Sequence, residues 1–498
     1  MSSLLVPSHH HRRLLVICTL ISFLVGCGAE ARNAAEGLRP RNLVIICLDT
    51  VRYDVFSLPE TTGRSDELSP SLADAITFEH GQSPAPWTVP AVASLLTGLY
   101  PNQHGAGRFG EEVANLSNTV PSGIRPEVVT LPERLASAGF ATAAFVAHPW
   151  FRAGYDLDRG FASFELKNQS DRLIQRSLEW LDELLGAEPL SAGDGGSQGP
   201  PFFAYLHFME AHERHRKPLD EVDEIVDNIP KELRSAAAAL AADAACLDTT
   251  ATGCRRFLAY VDAVLELRGR IASFLEGLAE RNLLGETLVI AYSDHGEEFA
   301  EHLDEGRAAG LDPRAIYGAG HGHTLYQELL HVPLLVWHPG LPGRQITAPA
   351  TLVDIVPSVI DWLALTQEDH SRRSLPGLPI TDLLDDDRDT HRALYSSNIA
   401  YGPRQVAVLQ GGQKRIHLPD LGIARLFDLE RDPMEKTPID DRQLALPLDR
   451  QLARYLELAV AQTDADSAPE VSPELLEQLQ SLGYLEGRSR QSATGDRQ

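Results

Sequence analysis

Continuous apolar runs along the chain predict strands that are buried on both faces. The clearest are Asn42–Leu48, Phe202–His207 and Thr287–Tyr292, and a shorter run covers Ala141–Val146. Such runs are typical of parallel strands, because helices cover both faces of a parallel sheet. Stretches with helical periodicity separate the runs, as in Ser170–Leu185. The alternation predicts an α/β fold, in which a mostly parallel central sheet is sandwiched by helices.

A change of pattern near residue 393 predicts a second, smaller unit. Short strand patterns around 405–410 and 414–417 replace the long apolar runs, which is typical of a small antiparallel α+β subdomain. We therefore divide the 498 residues into a signal peptide at 1–26, a linker at 27–40, a main domain at 41–390 with an insertion at about 217–254, a small subdomain at 391–450, and C-terminal helices with a disordered tail at 451–498. The net charge of −26 argues against nucleic acid as a partner.

The N-terminal residues have the pattern of an export signal with a lipid anchor. Two arginines precede the apolar run Leu14–Phe23, which is too short to span a bilayer. The segment Leu24–Cys27 resembles a bacterial lipobox, which predicts cleavage before Cys27 and lipidation of its thiol. The alternative is an ordinary signal peptide with a chance cysteine. We expect an exported protein that this lipid anchors to the membrane, in the outer membrane or periplasm because Gly28 differs from an inner-membrane retention signal.

The other cysteines have simpler interpretations. Export permits disulfides, and Cys246 and Cys254 bracket a short loop that a disulfide between them would close. Cys47 lies inside an apolar run and is predicted to be inert core. The chain has no pair of cysteines at CxxC spacing, so a cysteine-bound zinc site is not expected.

A short predicted helix carries Thr88 at its beginning. Thr88 is a good N-cap, Pro90 stands in the first turn, and Gly98 closes the end. A hydroxyl in this position lies beside the positive end of the helix dipole, which favours an oxyanion. The helix therefore marks Thr88 as a candidate nucleophile, although a single capping threonine is more often structural.

Metal-ligating side chains directly follow two of the predicted strands. Asp49 comes after the first apolar run, and Asp294 and His295 follow Thr287–Tyr292 with one serine between. Ligands bind at the carboxyl ends of strands in open α/β sheets, so these side chains are expected to lie together. With Thr88 they form an oxygen and nitrogen donor set for one divalent ion. Such a set favours Zn²⁺ or Mn²⁺, and Ca²⁺ or Mg²⁺ is possible.

The segment Pro84–Gly105 resembles the signature of the sulfatase and alkaline phosphatase superfamily. The matching residues are Pro90, Leu95-Leu96-Thr97-Gly98, Leu99-Tyr100-Pro101 and His104-Gly105. Sulfatases of the superfamily carry Cys or Ser where this chain has Thr88, and Arg where it has Val92. They oxidise that Cys or Ser to formylglycine, an aldehyde that threonine cannot form. In the phosphodiesterase and phosphoglycol-transferase branches, threonine is the usual nucleophile.

The resemblance covers about residues 41–440 and implies a role for each candidate residue. It implies metal ligation by Asp49, Thr88, Asp294 and His295, catalysis by Thr88, His212 and His323, and substrate contacts by His321, His148 and Arg52. It implies a single ion, because Glu210 and Arg214 stand where two-metal phosphodiesterases carry the Asp and His of their second site. Thr50 stands where two-acid sulfatases carry a second aspartate. Histidines replace the lysines that sulfatases use, which fits general acid catalysis toward the leaving group. Arg52 either contacts the substrate or braces Asp49, and the sequence leaves both open.

Together these features predict a metal-dependent, sulfatase-like hydrolase. Thr88 would attack phosphoric diesters or phosphonate-type esters in line, since a bound ion lowers the pKa of its hydroxyl. The alternatives are a sulfatase that acts without formylglycine, a phosphoglycol or phosphoethanolamine transferase, and a binding protein without activity. The expected partners are a small-molecule or envelope-derived ester and, through the lipid anchor, the membrane. The sequence leaves the substrate and the oligomeric state open.

Overall fold

A computed structural model of the chain describes residues 39–58, 72–108, 121–151, 154–167, 169–186, 199–240, 252–302, 319–365, 375–384 and 391–458. The strands in these ranges are β1 (Asn42–Leu48), β2 (Ile76–Phe78), β3 (Gly81–Gln82), β4 (Ala141–Val146), β5 (Ser163–Leu166), β6 (Phe202–Phe208), β7 (Thr287–Tyr292), β8 (Glu298–Phe299), β9 (Ala319–Gly320), β10 (Leu334–Trp337), β11 (Arg344–Ile346), β12 (Ala350–Thr351), β13 (Leu394–Ser397), β14 (Val406–Gln410), β15 (Gln413–Leu418) and β16 (Ile423–Asp428). The α-helices are α1 (Tyr53–Phe56), α2 (Thr88–Thr97), α3 (Pro101–His104), α4 (Leu131–Ser137), α5 (Ser170–Leu185), α6 (Glu210–Arg214), α7 (Leu219–Asp227), α8 (Lys231–Leu240), α9 (Thr252–Glu280), α10 (Gln327–Leu330), α11 (Ile355–Trp362), α12 (Ile380–Leu383) and α13 (Arg442–Glu457).

An eight-stranded sheet forms the centre of the main domain, in the order β11-β2-β10-β7-β1-β6-β4-β5. Strand β10 runs antiparallel to β2 and β7, whereas the other neighbouring strands are parallel. The predicted α/β fold with a mostly parallel sheet is thus confirmed. The register pairs Cys47 of β1 with His207 of β6 and with Tyr292 of β7. The carboxyl ends of these three central strands therefore lie side by side.

Alternate residues of β1 belong to two apolar layers on opposite faces of the sheet. Leu43 and Ile45 are fully buried in a layer that α2 and α11 cover, whereas Val44 and Ile46 pack in a layer that α5 and α9 cover. Burial of each such side chain contributes about 1.5–3 kcal/mol relative to exposure. Because side chains alternate along a strand, Asp49 continues the first of these series, toward α2.

The small subdomain is a four-stranded antiparallel sheet of β13 to β16, as predicted, with α13 packed on it. It also contacts the loop that leads into α2. Ser396 Oγ donates a hydrogen bond to the Ser83 carbonyl oxygen at 2.7 Å, and Trp87 Nε1 donates one to the Asn398 carbonyl oxygen at 2.6 Å. The subdomain therefore holds in place the segment that carries Thr88.

The described part of the predicted insertion consists of helices. Val222 and Val226 of α7 and Leu233 of α8 are buried in the layer that contains α9. Cys254, near the start of α9, forms a disulfide whose partner lies outside the described residues, so its pairing with Cys246 stays a prediction.

The signal peptide, Cys27 and the C-terminal tail likewise lie outside the described residues. Across the ranges that the structure describes, no helix combines the length and apolar character needed to cross a bilayer.

Candidate active site

The ends of β1 and β7 and the first turn of α2 bring the four predicted metal ligands together. Asp49, Thr88, Asp294 and His295 are all fully buried. His295 Nε2 lies 3.2 Å from Thr88 Oγ1, 3.5 Å from Asp294 Oδ2 and 4.0 Å from Asp49 Oδ1. Ligand atoms about 2.0–2.2 Å from one ion stand a few ångströms apart, so this spacing suits a shared ion.

One oxygen of each carboxylate is held by the protein, and the other has no hydrogen-bond partner among the described residues. Asp294 Oδ1 accepts the backbone N–H groups of His295 at 3.0 Å and Thr50 at 3.3 Å. Asp49 Oδ2 lies 2.8 Å from His207 Nε2. Asp49 Oδ1 and Asp294 Oδ2 are the two buried oxygens without a hydrogen-bond partner among the described residues. Two buried acceptors without donors, facing one imidazole nitrogen, fit a divalent metal ion.

The electrostatics of the carboxylates agree with that fit. Burial, and then the facing charge of Asp294, raise the pKa of Asp49 well above its usual value. A bound cation would remove this cost of ionisation. His295 Nδ1 lies 2.9 Å from the Gly296 carbonyl oxygen, to which it donates, so Nε2 presents its lone pair to the site.

The predicted N-cap role of Thr88 is wrong, because α2 begins at Thr88 itself. The N-cap is Trp87, which has an extended backbone with φ −160° and ψ 162°. The Thr88 hydroxyl is directed toward His295 instead of back to the helix. Gly98 ends the helix in the left-handed conformation at φ 70°, as predicted. Thr88 thus stands at the positive end of the helix with its oxygen turned into the site.

The loop after β1 is shaped to support the carboxylates. Thr50 has φ 60°, a left-handed conformation that β-branched residues avoid. This conformation directs its N–H toward Asp294. Tyr260 of α9 donates a hydrogen bond to the Thr50 carbonyl oxygen at 2.7 Å and accepts the Arg52 N–H at 2.9 Å. A buried tyrosine therefore holds the strained turn in place.

Histidines form the wall beside these ligands. The rings of His148 and His212 lie 6.0 Å apart, those of His212 and His321 5.3 Å apart, and those of His321 and His295 4.4 Å apart, between centroids. Burial is the main cause that lowers the pKa of His148, His212 and His321 well below the usual value. At neutral pH these imidazoles are uncharged, so each supplies one N–H donor and no fixed charge.

Arg216 and Glu297 form the charged edge of this wall. Both Glu297 carboxylate oxygens lie 3.2 Å from His321 Nδ1. Arg216 Nη2 lies 3.5 Å from Glu297 Oε1 and 3.4 Å from His321 Nδ1. Burial opposes ionisation of Glu297, but His321 and Arg216 together lower its pKa well below the usual value. The Arg216 side chain is 27% exposed and that of His321 only 1%, so the guanidinium lies on the solvent side.

Arg52, predicted as a substrate contact, is engaged within the protein. Its guanidinium binds the Asp54 carboxylate at 2.7 Å, the Glu301 carboxylate, and the Glu297 carbonyl oxygen at 3.3 Å. Only 2% of the side chain is exposed. Of the two roles that the sequence leaves open for Arg52, the structure favours bracing of the loop after Asp49.

The Gly-His-Gly-His segment places its two histidines differently. His321 contacts His295 and His212 in the wall described above. His323 Nε2 lies 2.6 Å from Glu298 Oε2, and its backbone carbonyl oxygen accepts a hydrogen bond from Gln405 of the small subdomain. The structure therefore brings His321 to Thr88 and its neighbours, and brings His323 toward the subdomain.

Three residues of the site escaped the sequence reasoning. His207 is hidden within an apolar run, where a single histidine in a buried strand is the available signal. Glu297 stands two residues after His295 and shares its loop. Arg216 lies four residues after His212 in a polar stretch, where no pattern separates it from a surface arginine.

Comparison with known proteins gives a family match and agrees with the fold. The family described as Sulfatase matches residues 41–365. The choline-sulfatase of Rhizobium meliloti (strain 1021) is 26% identical over 250 residues, which are 48% of this chain and 43% of the relative. That match spans less than half of the relative's own length.

Solved structures resemble most of the described fold. The phosphonate monoester hydrolase of Agrobacterium radiobacter has a TM-score of 0.57 at 20% identity, covering 87% of this chain and 99% of that one. A protein solved with its substrate D-glucosamine-2-N,6-O-disulfate has a TM-score of 0.59 at 15% identity, covering 87% of this chain and 100% of that one. At these identities the likeness shows a shared fold.

Proposed function

The chain belongs to the sulfatase family, and we propose that it is an ester-bond hydrolase that cleaves phosphoric diesters or phosphonate-type esters by attack of Thr88. The observation that carries this proposal is the Thr88 hydroxyl, 3.2 Å from His295 Nε2 at the start of α2. A threonine cannot form formylglycine, so in this proposal the unmodified hydroxyl is the nucleophile. A neighbour of the same fold is a phosphonate monoester hydrolase, which supports an attack at phosphorus.

The reaction proceeds in two displacements at phosphorus. In the first, the Thr88 oxygen bonds to phosphorus, the bond to the leaving alcohol breaks, and the threonine proton ends on that alcohol. In the second, a water oxygen bonds to phosphorus, the bond to Thr88 breaks, and one water proton returns to the threonine. The net reaction is hydrolysis of the ester.

Asp49, Asp294, His295 and Thr88 would hold the divalent ion that enzymes of this family use. When bound there, the ion supplies Lewis acidity that favours the ionised hydroxyl and draws charge from the ester. One imidazole among oxygen donors favours Zn²⁺ or Mn²⁺. His212 is the candidate N–H donor toward the ester oxygens, and by its position beside His295 and His212, His321 is a better candidate than His323 for the contact at the leaving group.

Arg216 supplies the fixed positive charge that the uncharged imidazoles lack. The position where sulfatases carry an arginine on α2 is the fully buried Val92, which has no charge to offer. The Arg216 charge reaches the site, because it opposes the rise in the pKa of Asp49 and adds to the lowering of the pKa of His148 and His212 that burial causes. We therefore assign to Arg216 the binding of the anionic ester as it enters.

The pattern of the N-terminal residues is the basis of a proposal about where in the cell the protein acts. We propose export and anchoring through lipidated Cys27, which would present the site to envelope-derived esters. The experiment is fractionation of cells that express the full chain, compared with Cys27→Ser. Release of the variant from the membrane fraction supports the anchor, and an unchanged distribution contradicts it.

The test of the reaction compares aryl esters on the purified full chain. Phosphodiester, phosphonate monoester, phosphate monoester and sulfate ester substrates are assayed with Zn²⁺ or Mn²⁺ added. We expect turnover of the diester or phosphonate ester, and a loss of at least about a thousandfold in Thr88→Ala. The matched control is Thr97→Ala at the other end of α2, whose hydroxyl bonds the Ala93 carbonyl oxygen and which should keep turnover.

Two results would overturn the proposal. A preference for the sulfate ester that Thr88→Ala abolishes would identify a sulfatase with an unmodified threonine nucleophile. Activity that survives in Thr88→Ala would remove the threonine from the mechanism altogether.

A further inference from the structure

His207 lies behind the candidate metal site, at the end of β6. The side chain is fully buried, and its Nε2 lies 2.8 Å from Asp49 Oδ2. Its other ring nitrogen, Nδ1, lies 3.3 Å from the Tyr205 hydroxyl, which in turn lies 2.9 Å from the Tyr292 hydroxyl. These groups form a buried polar chain that crosses the apolar layer under β1 and ends on a predicted metal ligand.

We propose that His207 is a positioning residue that fixes the Asp49 carboxylate for metal binding. The inference rests on the metal site of the proposed function. His207 Nε2–H occupies Asp49 Oδ2, and Asp49 Oδ1 is the carboxylate oxygen left without a partner. A carboxylate held by one oxygen presents the other in a single direction, which reduces the freedom lost when an ion binds.

The polar chain also determines the tautomer of His207. A neutral imidazole that donates from Nε2 carries a lone pair on Nδ1. The Tyr205 hydroxyl then donates to Nδ1 and accepts the Tyr292 hydroxyl in turn, so each donor in the chain has an acceptor. Buried hydroxyl and imidazole groups are costly in an apolar layer unless they are paired in this way.

Comparison with Asp294 explains why the Asp49 carboxylate is held by a side chain instead of by backbone N–H groups. Backbone N–H groups of His295 and Thr50 hold Asp294 Oδ1, because the loop after β7 and the turn after β1 both face it. Asp49 Oδ2 instead faces the neighbouring strand β6, whose backbone is committed to the sheet. The register places the side chain of His207 beside Asp49, and an imidazole is long enough to reach the carboxylate.

A role of His207 as a metal ligand is the competing interpretation. Cys47, His207 and Asp294 have ligand atoms within 4.8 Å of one another, so they are close enough to share an ion. However, both ring nitrogens of His207 have hydrogen-bond partners. The geometry therefore favours support of Asp49 over direct ligation.

The experiment measures metal affinity, which does not depend on turnover. The purified full chain is stripped with a chelator, and Mn²⁺ or Zn²⁺ is titrated by calorimetry. We expect His207→Leu to weaken binding about 10- to 100-fold, the usual cost of removing such a support. His207→Gln retains an N–H donor of similar reach and should stay within about threefold of the wild type, and Tyr205→Phe should lose about threefold.

The matched control is His104, which is fully buried and pairs with Ser94 at 2.9 Å in the same layer. His104→Leu removes a buried imidazole whose hydrogen bonds go to Ser94 and to the Ala106 N–H instead of to Asp49, and it should leave the metal affinity unchanged. Thermal unfolding of each metal-free variant shows that it is folded. If His207→Leu does not fold, His207→Gln and Tyr205→Phe still give a result.

Two results would overturn the inference. Unchanged affinity in His207→Leu would show that Asp49 needs no support, and equal loss in His207→Gln and His207→Leu would identify the imidazole itself as a ligand. Failure of the proposed function is separable. A wild type that binds metal and shows the predicted variant pattern, yet hydrolyses no phosphorus ester, would keep this inference and remove that function.

Discussion

Two neighbouring Glu–His pairs join the segment after β7 to the segment after β9, and they lie in different surroundings. Glu297 pairs with His321 at 3.2 Å, and Glu298 pairs with His323 at 2.6 Å. The glutamates are consecutive, and the histidines are two residues apart. All four side chains are buried. The residue types and burial are the same, so the partners beyond each pair determine what it can do.

The inner pair faces the candidate active site. His321 contacts the rings of His295 and His212, and Arg216 lies beside both members of the pair. The pair therefore connects a predicted metal ligand with the partly exposed guanidinium. Such a position suits contact with a substrate.

The outer pair faces the small subdomain. Glu298 accepts the His302 N–H at 3.2 Å, and the His323 carbonyl oxygen accepts a hydrogen bond from Gln405 at 2.9 Å. Further ion pairs follow in the same region, with His302 against Glu328 at 2.7 Å. Under the proposed function, the half of this short motif with His321 would contribute to the chemistry, whereas the half with His323 contacts the small subdomain.

Exchange of each histidine for asparagine tests the comparison directly. We expect His321→Asn to lower kcat/KM about 100-fold, the lower range for loss of a positioned donor or acid. His323→Asn should lower it at least ten times less, and should lower the unfolding temperature more, because it removes the buried imidazole that pairs with Glu298. The measurement is kcat/KM on the best phosphorus ester, with thermal unfolding of both variants. The reverse order of activities would assign the inner role to His323.

Some residues of the candidate site could be predicted from the sequence, and others could not. Asp49, Asp294 and His295 were predictable, because strand-end ligands depend only on where apolar runs stop, and the runs are long. His321 and His323 were not separable, because the pairing of each with a glutamate depends on β8 and β9 and on the position of the subdomain. Such contacts join residues that are distant in the chain, and no local pattern records them.

Substitution of Arg216 tests whether the inner pair lies at the substrate, with a smaller expected effect. Its guanidinium lies against the inner pair, so its loss should weaken capture of an anionic ester more than the chemical steps. We expect Arg216→Ala to raise KM about tenfold, which is about 1.4 kcal/mol, with a smaller change in kcat. Arg216→Lys keeps the charge and should recover part of the loss.

The control for this prediction lies two residues away. Arg214 binds Asp262 at 2.7 Å and also Glu266, on the α9 side. Arg214→Ala should leave KM close to that of the wild type. A fall in kcat with unchanged KM in Arg216→Ala would place the guanidinium in the chemical step or in the folded structure instead of in substrate capture.

Substitution of His302 tests the contacts around the outer pair, Glu298 and His323, without changing the inner pair. The readout is the pH dependence of stability. Burial opposes its charge, but the Glu328 carboxylate at 2.7 Å, with Glu298 nearby, raises the pKa of His302 to about 9. In the unfolded chain a histidine titrates near pH 6.5. The folded pKa is the higher one, so the stabilisation is complete below about pH 6.5 and is lost as the pH rises through about 9. Glu328 has a pKa lowered to about 2 and stays ionised over this range.

We therefore expect His302→Asn to cost the most stability near pH 6 and the least near pH 9.5. The change between these limits should be on the order of 1–3 kcal/mol in the free energy of unfolding. Urea denaturation of wild type and variant across this range measures it. His104 is the control, because burial lowers its pKa to about 3 and it stays neutral throughout. Unfolded His104 binds a proton near pH 6 and the folded residue does not, so the cost of His104→Asn should be about 0.8 kcal/mol smaller near pH 6 than near pH 9.5, the opposite trend to His302→Asn. A cost of His302→Asn that does not fall as the pH rises would show that the contacts of Glu298 and His323 are not supported by a charged histidine, and the contrast with the inner pair would then rest on position alone.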